Sequence, residues 1–336
     1  MRVRVSIDGA GRLGRQLLRA ITDRREPDYE VVAVRDRAPA HEVARRLLHD
    51  STHGHWDHRV EVVDEHLGLD DHTIRVLHEE HPHWAGADVE IVVRTGADCA
   101  GGSAPFDREG ARPAHGVRAV LVAGGPDDGA DVTVVPGLDE DVYDATRHRV
   151  VSASSAEAAC AAALLAPLHR GFGVVDALVT AVEGRTAPVA DPTDPHLGRD
   201  AAVNIVPTGC RVGTEVGALL PDLRDRVDGL VLRVPTADAA LVDLTARLAA
   251  PVTPGQVRRS LTTAADGPLK GLLTCTREPL VSRDVVGETA SCVADLGLVR
   301  TRGELVTVVG WYDPEAGHVH RVADLLGIMA RTLPGR

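Results

Sequence analysis

The chain has 336 residues, of which 44% are apolar and 26% are charged, a composition that predicts a globular protein of two domains and excludes intrinsic disorder and a collagen-like fold. No run of sequence approaches the ~18 consecutive apolar residues of a membrane helix, and the first residues lead directly into a predicted strand, so we expect a cytoplasmic protein that does not enter a membrane. The formal net charge of −12 argues against nucleic acid or an anionic membrane as a partner, because both require a positively charged face.

A dinucleotide-binding pattern opens the chain. Residues 2–7 alternate polar and apolar side chains as a strand does, and the turn Gly9-Ala10-Gly11-Arg12-Leu13-Gly14 leads into a helical pattern. A second strand, Tyr29–Val34, ends just before Asp36, 22 residues beyond the last glycine of the turn, which is the distance typical of the acid that binds a ribose diol. The expected cofactor contacts come from the turn and from this acid: Gly9, Gly11, Arg12, Leu13, Gly14 and Asp36.

The pattern favours NAD as the cofactor. An acid at position 36 hydrogen-bonds an unphosphorylated ribose. NADP is the alternative, because Arg35 and Arg37 flank Asp36 and are able to accept a 2′-phosphate.

The pattern of predicted elements changes near residue 151. Short strands complete an open parallel sheet before it: Val89–Val93, Ala119–Val122 and Val132–Val135. The elements predicted after it are a helix over Ser154–Leu168, strands at Val174–Val182, Gly229–Val234 and Glu304–Trp311, a helix over Asp238–Arg247 and a final amphipathic helix over Arg321–Thr332. Apart from the final helix, the long strands outnumber the helices, so we predict an α/β fold in which a Rossmann-type dinucleotide-binding domain joins an α+β domain with a mixed or antiparallel sheet.

Nine segments match the motifs of one enzyme family, in order along the chain. They are Gly9–Arg15, Asp50–Gly54, Thr95-Gly96, Leu165–Leu168, Asn204–Pro207, Arg233–Ala237, Val242–Thr245, Gly267–Gly271 and Trp311–Asp313. On these segments the chain resembles the glyceraldehyde-3-phosphate dehydrogenase family over nearly its whole length. The resemblance implies a dinucleotide-binding domain of residues 1–151 and 317–336, an inserted catalytic domain of residues 152–316, Thr95 and Gly96 beside the cofactor, and a homotetramer or homodimer.

The differences from this family lie at the positions of its catalytic residues. The family's reaction needs a cysteine nucleophile, a histidine base and NAD as the hydride acceptor. Counting back from Leu165-Ala166-Pro167 puts the nucleophile at Cys160. Counting forward from the strand Val150-Val151-Ser152 puts it at Ala156, where no thiol is present. The sequence therefore leaves two positions, Cys160 and Ala156, as alternatives for the site of the nucleophile.

The role of Cys160 depends on where its helix begins. The capping-box spacing of Ser154 and Glu157 predicts a helix that starts at Ser154 and places Cys160 well inside it, where the helix dipole activates a thiol less. Packing in the core is the alternative role for this thiol. The five cysteines include no CxxC pair, and the histidines lack metal-ligand spacing on a predicted scaffold, so we expect free thiols and no metal site.

The family's histidine follows a strand end that corresponds here to Thr180-Ala181-Val182, so its position holds Glu183. A carboxylate raises the pKa of a nearby thiol rather than lowering it, but burial brings its own pKa toward the range of a useful general base. Arg185 lies two residues further on, hence on the same strand face, where it is placed to bind an anionic substrate. The alternative is a structural ion pair between Glu183 and Arg185.

The family's phosphate and nicotinamide sites are also altered. Alanines in the predicted helix and the run Gly209-Cys210-Arg211 replace its hydroxyl donors. Arg211 and Arg233 are candidates to bind the carboxylate or phosphate group of another substrate, with a structural role in the sheet as the alternative for Arg233. The asparagine that the family places on the nicotinamide is Pro314, which has no amide side chain.

Three functions follow from these residues. The first is an NAD(P)-dependent oxidoreductase of specialised metabolism, acting on a small molecule other than glyceraldehyde 3-phosphate with Glu183 as the base and Cys160 as the candidate nucleophile. The second is a non-redox enzyme that acts on a nucleotide-bearing substrate, such as one derived from NAD, through acid–base chemistry at Glu183. The third is a non-catalytic dinucleotide-binding protein. We favour the first, by analogy of fold.

Overall fold

The computed structural model describes residues 2–24, 28–70, 72–78, 88–95, 117–124, 129–184, 199 and 202–334. The chain divides into two compact units. The first unit is Met1–Val134, Asp141–Ala153 and Val319–Arg336, and the second is Val135–Glu140 and Ser154–His318. Among the described residues, no helix is both long enough and apolar enough to cross a membrane.

The first unit is built on one nine-stranded sheet. Its strands and its first two helices are β1 (Val3–Asp8), α1 (Arg12–Thr22), β2 (Tyr29–Arg35), α2 (Ala40–Leu48), β3 (His49–Asp50), β4 (Gly54–His55), β5 (Val60–Val63), β6 (His66–Leu69), β7 (His72–Leu77), β8 (Ile91–Arg94), β9 (Ala119–Val122), β10 (Val132–Thr133) and β11 (Val150–Ser152). The sheet order is β10-β11-β9-β8-β1-β2-β7-β6-β5, while β3 and β4 pair separately. The strands from β10 to β7 pair in parallel, which confirms the predicted parallel sheet.

One edge of this sheet was not predicted. Strands β5, β6 and β7 pair antiparallel and extend the parallel sheet beyond β2. Their alternation is weak because most side chains of β5 and half of those of β7 are exposed, so only a few positions such as Leu67 and Ile74 carry the apolar signal.

The second unit is built on an eight-stranded mixed sheet. Its elements are α3 (Ala156–Phe172), β12 (Val174–Glu183), β13 (Val206–Thr208), α4 (Val212–Leu219), β14 (Val227–Arg233), β15 (Ala240–Leu248), α5 (Pro254–Asp266), β16 (Leu273–Thr276), β17 (Cys292–Asp295), β18 (Arg300–Arg302) and β19 (Leu305–Tyr312), with short 3₁₀ helices at Pro221–Leu223 and Ser282–Val285. A further 3₁₀ helix covers Glu140–Val142, and α6 (Ala316–Thr332) leads back to the first unit. The sheet order is β13-β14-β12-β15-β19-β17-β16, with β18 beside β19, so the predicted mixed α+β class is confirmed.

The helix predicted over Asp238–Arg247 is wrong, because this segment forms strand β15. Every second residue of β15, beginning with Ala240, is buried, which is the period of a strand. Strand β15 also pairs antiparallel with β12 on one side and β19 on the other. Two full ladders of hydrogen bonds and a buried face outweigh the helical propensity of its alanines and leucines.

Helix α3 forms the centre of the second unit. It begins at Ala156, two residues later than predicted, because Ser155 is the N-cap and its hydroxyl accepts a hydrogen bond from the Ala158 amide at 3.3 Å. Residues Ala158–Leu168 are all buried, so the helix is apolar on every side and packs in the core rather than on the surface.

Gly310 of β19 lies against two thiols of this core. A Cβ atom added to Gly310 would lie 2.6 Å from Cys292 Sγ and 3.0 Å from Cys160 Sγ, closer than non-bonded atoms approach each other. Both cysteines are fully buried, and the Cys160 thiol lies 3.8 Å from the Gly310 carbonyl oxygen. Only glycine at this position leaves room for both sulfur atoms.

Candidate functional site

The turn between β1 and α1 has the close packing of a dinucleotide-binding loop. Gly9 has a φ of 113°, which only glycine adopts readily. A Cβ atom on Gly14 would lie 1.9 Å from the Gly9 carbonyl oxygen, so no other residue fits there. The Thr95 hydroxyl donates a hydrogen bond of 2.6 Å to the same oxygen and fixes the turn against β8.

The N-terminus of α1 is open to an anion. Gly11 is the N-cap, and a Cβ atom built there would meet none of the described residues within 4 Å. The first turn of the helix contains no acidic residue and begins with Arg12. Because the first amide groups of a helix lack intrahelical partners and carry a partial positive charge, this turn fits the pyrophosphate of a dinucleotide.

Asp36 lies directly after β2, as the dinucleotide-binding pattern requires. Its Oδ1 accepts a hydrogen bond of 2.7 Å from the Ala38 amide, which fixes the carboxylate at the end of the strand. The neighbouring Arg35 is bound by Asp8. Gly96, the remaining residue expected at the cofactor, lies outside the described residues.

The second unit brings Glu183 and Arg233 together. Glu183 ends β12 and Arg233 ends the parallel strand β14, and the two residues are paired in register, so their side chains leave neighbouring strand ends on the same face. Tyr312, the last residue of β19, donates its hydroxyl to Glu183 Oε1 at 3.1 Å. Three strands thus place an acid, a cation and a phenol at one end of the sheet.

The environment of Glu183 favours its neutral form. Burial raises the pKa of this carboxyl group above its usual range, and this effect outweighs the opposite influence of Arg233 and of the Tyr312 hydrogen bond. Burial also raises the pKa of Tyr312 well above its usual value, and the nearby Glu183 and Glu157 raise it further, so the phenol stays protonated as a donor. A raised pKa is a property that suits a carboxyl group for general-base catalysis.

Two further glutamates lie in the same region, and sequence reasoning assigned neither of them a role in the site. Glu157 is in the first turn of α3 and Glu215 is in the first turn of α4. Burial, followed by repulsion from Glu183 and Glu215, raises the pKa of Glu157 to about 8. We call Glu157, Glu183 and Glu215 the carboxyl cluster. No sequence motif predicts it, because its members come from three elements separated by 26 and 32 residues.

Glu215 supports the start of α3. Its Oε2 accepts hydrogen bonds from the Ser154 hydroxyl at 2.9 Å and from the Ser155 amide at 2.7 Å. Ser154 has a φ of 64°, a left-handed conformation that is uncommon for a side chain other than glycine. The two hydrogen bonds hold this strained residue in place, and burial raises the pKa of Glu215.

The expected nucleophile is not accessible, although its thiol lies near enough to Tyr312 to contribute to the raised pKa of the phenol. Cys160 has no exposed surface and packs in the core, which argues against the catalytic role expected for it. The first residue of α3, where the forward count located the nucleophile, is Ala156. Cys210 is half-buried, and burial raises the pKa of its thiol to about 11, so it is not a thiolate at neutral pH.

The remaining expected residues lie at the ends of helices or outside the described residues. Arg211 is exposed at the N-cap of α4, where its charge lowers the pKa of Glu215 against the larger effect of burial. Arg185 lies outside the described residues. Asp313, before Pro314, accepts hydrogen bonds from the Glu315 and Ala316 amides at 2.8 and 2.9 Å and so begins α6.

Comparison with known proteins agrees with this architecture. Residues 3–101 match the model of the NAD binding domain of glyceraldehyde 3-phosphate dehydrogenase, and residues 155–314 match the model of its C-terminal domain. The chain is 37% identical to "Glyceraldehyde-3-phosphate dehydrogenase" of Geobacillus stearothermophilus, covering 98% of this chain and 99% of the relative. It is 36% identical to "Glyceraldehyde-3-phosphate dehydrogenase 2" of Streptomyces arenae, with 99% and 100% covered. It is 37% identical to "Glyceraldehyde-3-phosphate dehydrogenase 1" of Bacillus subtilis strain 168, with 98% and 99% covered.

Proposed function

The chain belongs to the glyceraldehyde-3-phosphate dehydrogenase family, and from this premise we propose that it is an NAD(P)-dependent oxidoreductase that acts on a substrate other than glyceraldehyde 3-phosphate. The observation that carries the proposal is Glu183, a carboxyl group with a raised pKa that stands where the family's histidine is expected. We place the reaction in specialised metabolism, in the cytoplasm.

The proposed reaction needs no covalent thiol intermediate. The support for this is the burial of Cys160, the alanine at the start of α3 and the raised pKa of Cys210. A thiohemiacetal requires an accessible thiolate and a nearby base that stabilises it, and an adjacent carboxylate opposes the ionisation of a thiol. We therefore propose direct oxidation of an alcohol or of a hydrated aldehyde, or the reverse reduction of a carbonyl group.

Glu183 acts on the proton in this scheme. When bound, the nicotinamide cofactor would supply the hydride acceptor. As the hydride leaves the substrate carbon, the Glu183 carboxylate takes the proton of the substrate hydroxyl group, and the C–O bond becomes a carbonyl. Tyr312 donates to Oε1 at 3.1 Å and orients the carboxylate, while the charge of Arg233 stabilises its ionised form.

The arginines indicate an acidic group on the substrate. Arg233 lies beside Glu183 at the end of the sheet, and Arg211 is exposed at the start of α4. A guanidinium group binds carboxylate and phosphate in a bidentate manner. At neutral pH the repulsion between such a substrate and the carboxyl cluster is reduced, because Glu157, with a pKa of about 8, is mostly protonated.

We propose NAD as the preferred cofactor. Asp36 is fixed at the end of β2, where a carboxylate accepts hydrogen bonds from a ribose diol and repels a 2′-phosphate. Of the two arginines flanking it, Arg35 is bound by Asp8.

The test compares substrates and variants by nicotinamide absorbance. We expect no phosphate-dependent oxidation of glyceraldehyde 3-phosphate, because Ala156 and Glu183 replace the expected nucleophile and base; turnover in the usual enzyme range of roughly 1–10³ s⁻¹ would contradict this. Alcohols and aldehydes that carry a carboxylate or phosphate group form the substrate panel. With a substrate in hand, Glu183→Gln is expected to lower kcat by roughly 10²–10⁴, while the exposed control Glu278→Gln leaves it unchanged. Full activity in Glu183→Gln would assign that residue a structural role.

A further inference from the structure

A cavity lies in the second unit, apart from the carboxyl cluster. Its volume is about 460 Å³, within the range of small-molecule sites, and it lies between the end of α3, helix α5 and the loop that follows α5. Pro167, Phe172 and Leu269 provide an apolar wall. The cavity shares no residue with the carboxyl cluster, so the proposed oxidoreductase function does not use it.

The walls of the cavity are held together by a direct contact. The Ser260 hydroxyl of α5 donates a hydrogen bond of 3.0 Å to the carbonyl oxygen of Pro167 in α3. Pro167 has no N–H to donate within α3, but its carbonyl oxygen accepts this hydrogen bond, which ties the two helices together at the rim of the cavity. A cavity between fixed helices is formed before any ligand binds, which reduces the entropy lost on binding.

The charge of the cavity contrasts with the charge of the protein. Arg170 and Arg259 both line it, and no acidic residue lines it among those that the structure describes, although the chain as a whole carries a net charge of −12. Both arginines are exposed, and neither makes a hydrogen bond or ion pair within the part of the chain that the structure describes. Two guanidinium groups beside an apolar wall complement an anion with an apolar body.

We propose that this cavity binds an amphipathic organic anion, with an apolar body against Phe172 and Leu269 and its acidic group at Arg170 and Arg259. Guanidinium groups bind a carboxylate or a sulfonate through charge-assisted hydrogen bonds, which fix the orientation of the ligand. The apolar wall supplies the remaining affinity by removing the body of the ligand from water.

The test uses 8-anilinonaphthalene-1-sulfonate as the probe, with ADP-ribose in excess to occupy the dinucleotide-binding loop. We expect saturable fluorescence at one site in the full chain, and a Kd about tenfold higher in the double variant Arg170→Gln/Arg259→Gln, as expected from losing charge-assisted hydrogen bonds. The matched control is Arg302→Gln, which removes an exposed arginine of the same unit outside the cavity and is expected to bind as the unaltered protein does.

A second variant fills the cavity without changing its charge. Thr263 is exposed on α5 and lines the cavity, so Thr263→Trp is expected to abolish binding while circular dichroism shows an unchanged fold. The uncharged analogue N-phenyl-1-naphthylamine is expected to bind more weakly and to be insensitive to the double arginine variant. Unchanged probe affinity in both the double arginine variant and folded Thr263→Trp would overturn the proposal, whatever the outcome for Glu183.

Discussion

Substitutions at two glycines of the dinucleotide-binding loop, Gly14 and Gly11, are expected to affect folding and cofactor binding separately. At Gly14, an added Cβ atom lies 1.9 Å from the Gly9 carbonyl oxygen and 2.8 Å from Thr95 Oγ1. Gly9 would have to retreat by about 1.5 Å to restore an ordinary contact, and because the opposing atom belongs to the backbone, we expect Gly14→Ala to cost about 3 kcal/mol, the upper end for overpacking. At Gly11, no atom of the residues that the structure describes lies within 4 Å of an added Cβ atom, so Gly11→Ala is expected to cost less than about 1 kcal/mol, mainly through weaker helix capping.

The two variants therefore differ in what they lose. Gly14→Ala is expected to lower the unfolding temperature of the first unit by roughly 6–12 °C, from about 2–4 °C per kcal/mol for a unit of this size. Gly11→Ala is expected to unfold nearly as the unaltered protein does but to bind NAD at least roughly tenfold more weakly, because its methyl group stands where the pyrophosphate approaches the helix N-terminus.

Calorimetry measures both quantities, by thermal unfolding and by titration with NAD. Gly255→Ala is the control, because an added Cβ atom there meets only Thr253 Oγ1 at 4.0 Å, in the second unit. Wild-type NAD affinity in Gly11→Ala would show that the pyrophosphate does not bind at α1. An unchanged unfolding temperature in Gly14→Ala would refute the steric argument.

Three further predictions concern stability and assembly. Burial lowers the pKa of His58, but hydrogen bonds to Asp70 and Asp23 outweigh it and raise the pKa overall, so the histidine stabilises the fold below its unfolded-state pKa of about 6.5 and loses this effect as pH rises through the raised value. The difference in unfolding temperature between wild type and His58→Gln should shrink between mildly acidic and alkaline pH, and a constant difference would contradict this. Glu215→Ala removes two hydrogen bonds made by a buried carboxyl group and is expected to cost about 2–4 kcal/mol in denaturant unfolding, whereas Glu215→Gln keeps an acceptor and should cost clearly less; equal losses would argue against the hydrogen-bond account. Light scattering is expected to show a dimer or tetramer of the 35.5 kDa chain, shifted toward monomer by Leu178→Asp, because Leu178 is 65% exposed on the sheet of the second unit; a monomeric wild type would contradict this.

The fold can be predicted from the sequence where several local signals agree. Strand β1, the glycine turn and α1 lie within one or two residues of their predicted positions, because alternation, glycine and helical spacing agree there. Strand β15 was misread as a helix, since its alternating burial lies in alanine, valine and leucine, residues that also suit a helix. Pairing with the neighbouring strands β12 and β19 makes this segment a strand, and because these partners are distant in sequence, the local pattern does not reveal them.

The candidate site divides in the same way. Glu183 is a candidate that the sequence alone supplies, because its position follows a strand end and a family motif. Glu157 was noted only as a capping residue, and Glu215 had no motif, because each becomes part of the site only when α3 and α4 bring their first turns toward the end of β12. Cys160 was ambiguous by one helical turn in the sequence, and its position depends on the N-cap at Ser155, which differs by one residue from the predicted cap.

The contact of Gly310 with Cys160 and Cys292 limits which substitutions this core can accept during evolution. Because a side chain at 310 overlaps both sulfur atoms, a substitution there succeeds only after the cysteines have given way to smaller residues. Conversely, once position 310 has acquired a side chain, cysteine at either of the other positions no longer fits. The order in which these substitutions occur during evolution is therefore constrained. A lineage that has replaced Gly310 and a lineage that has kept both cysteines have different cores, and no single substitution converts one core into the other.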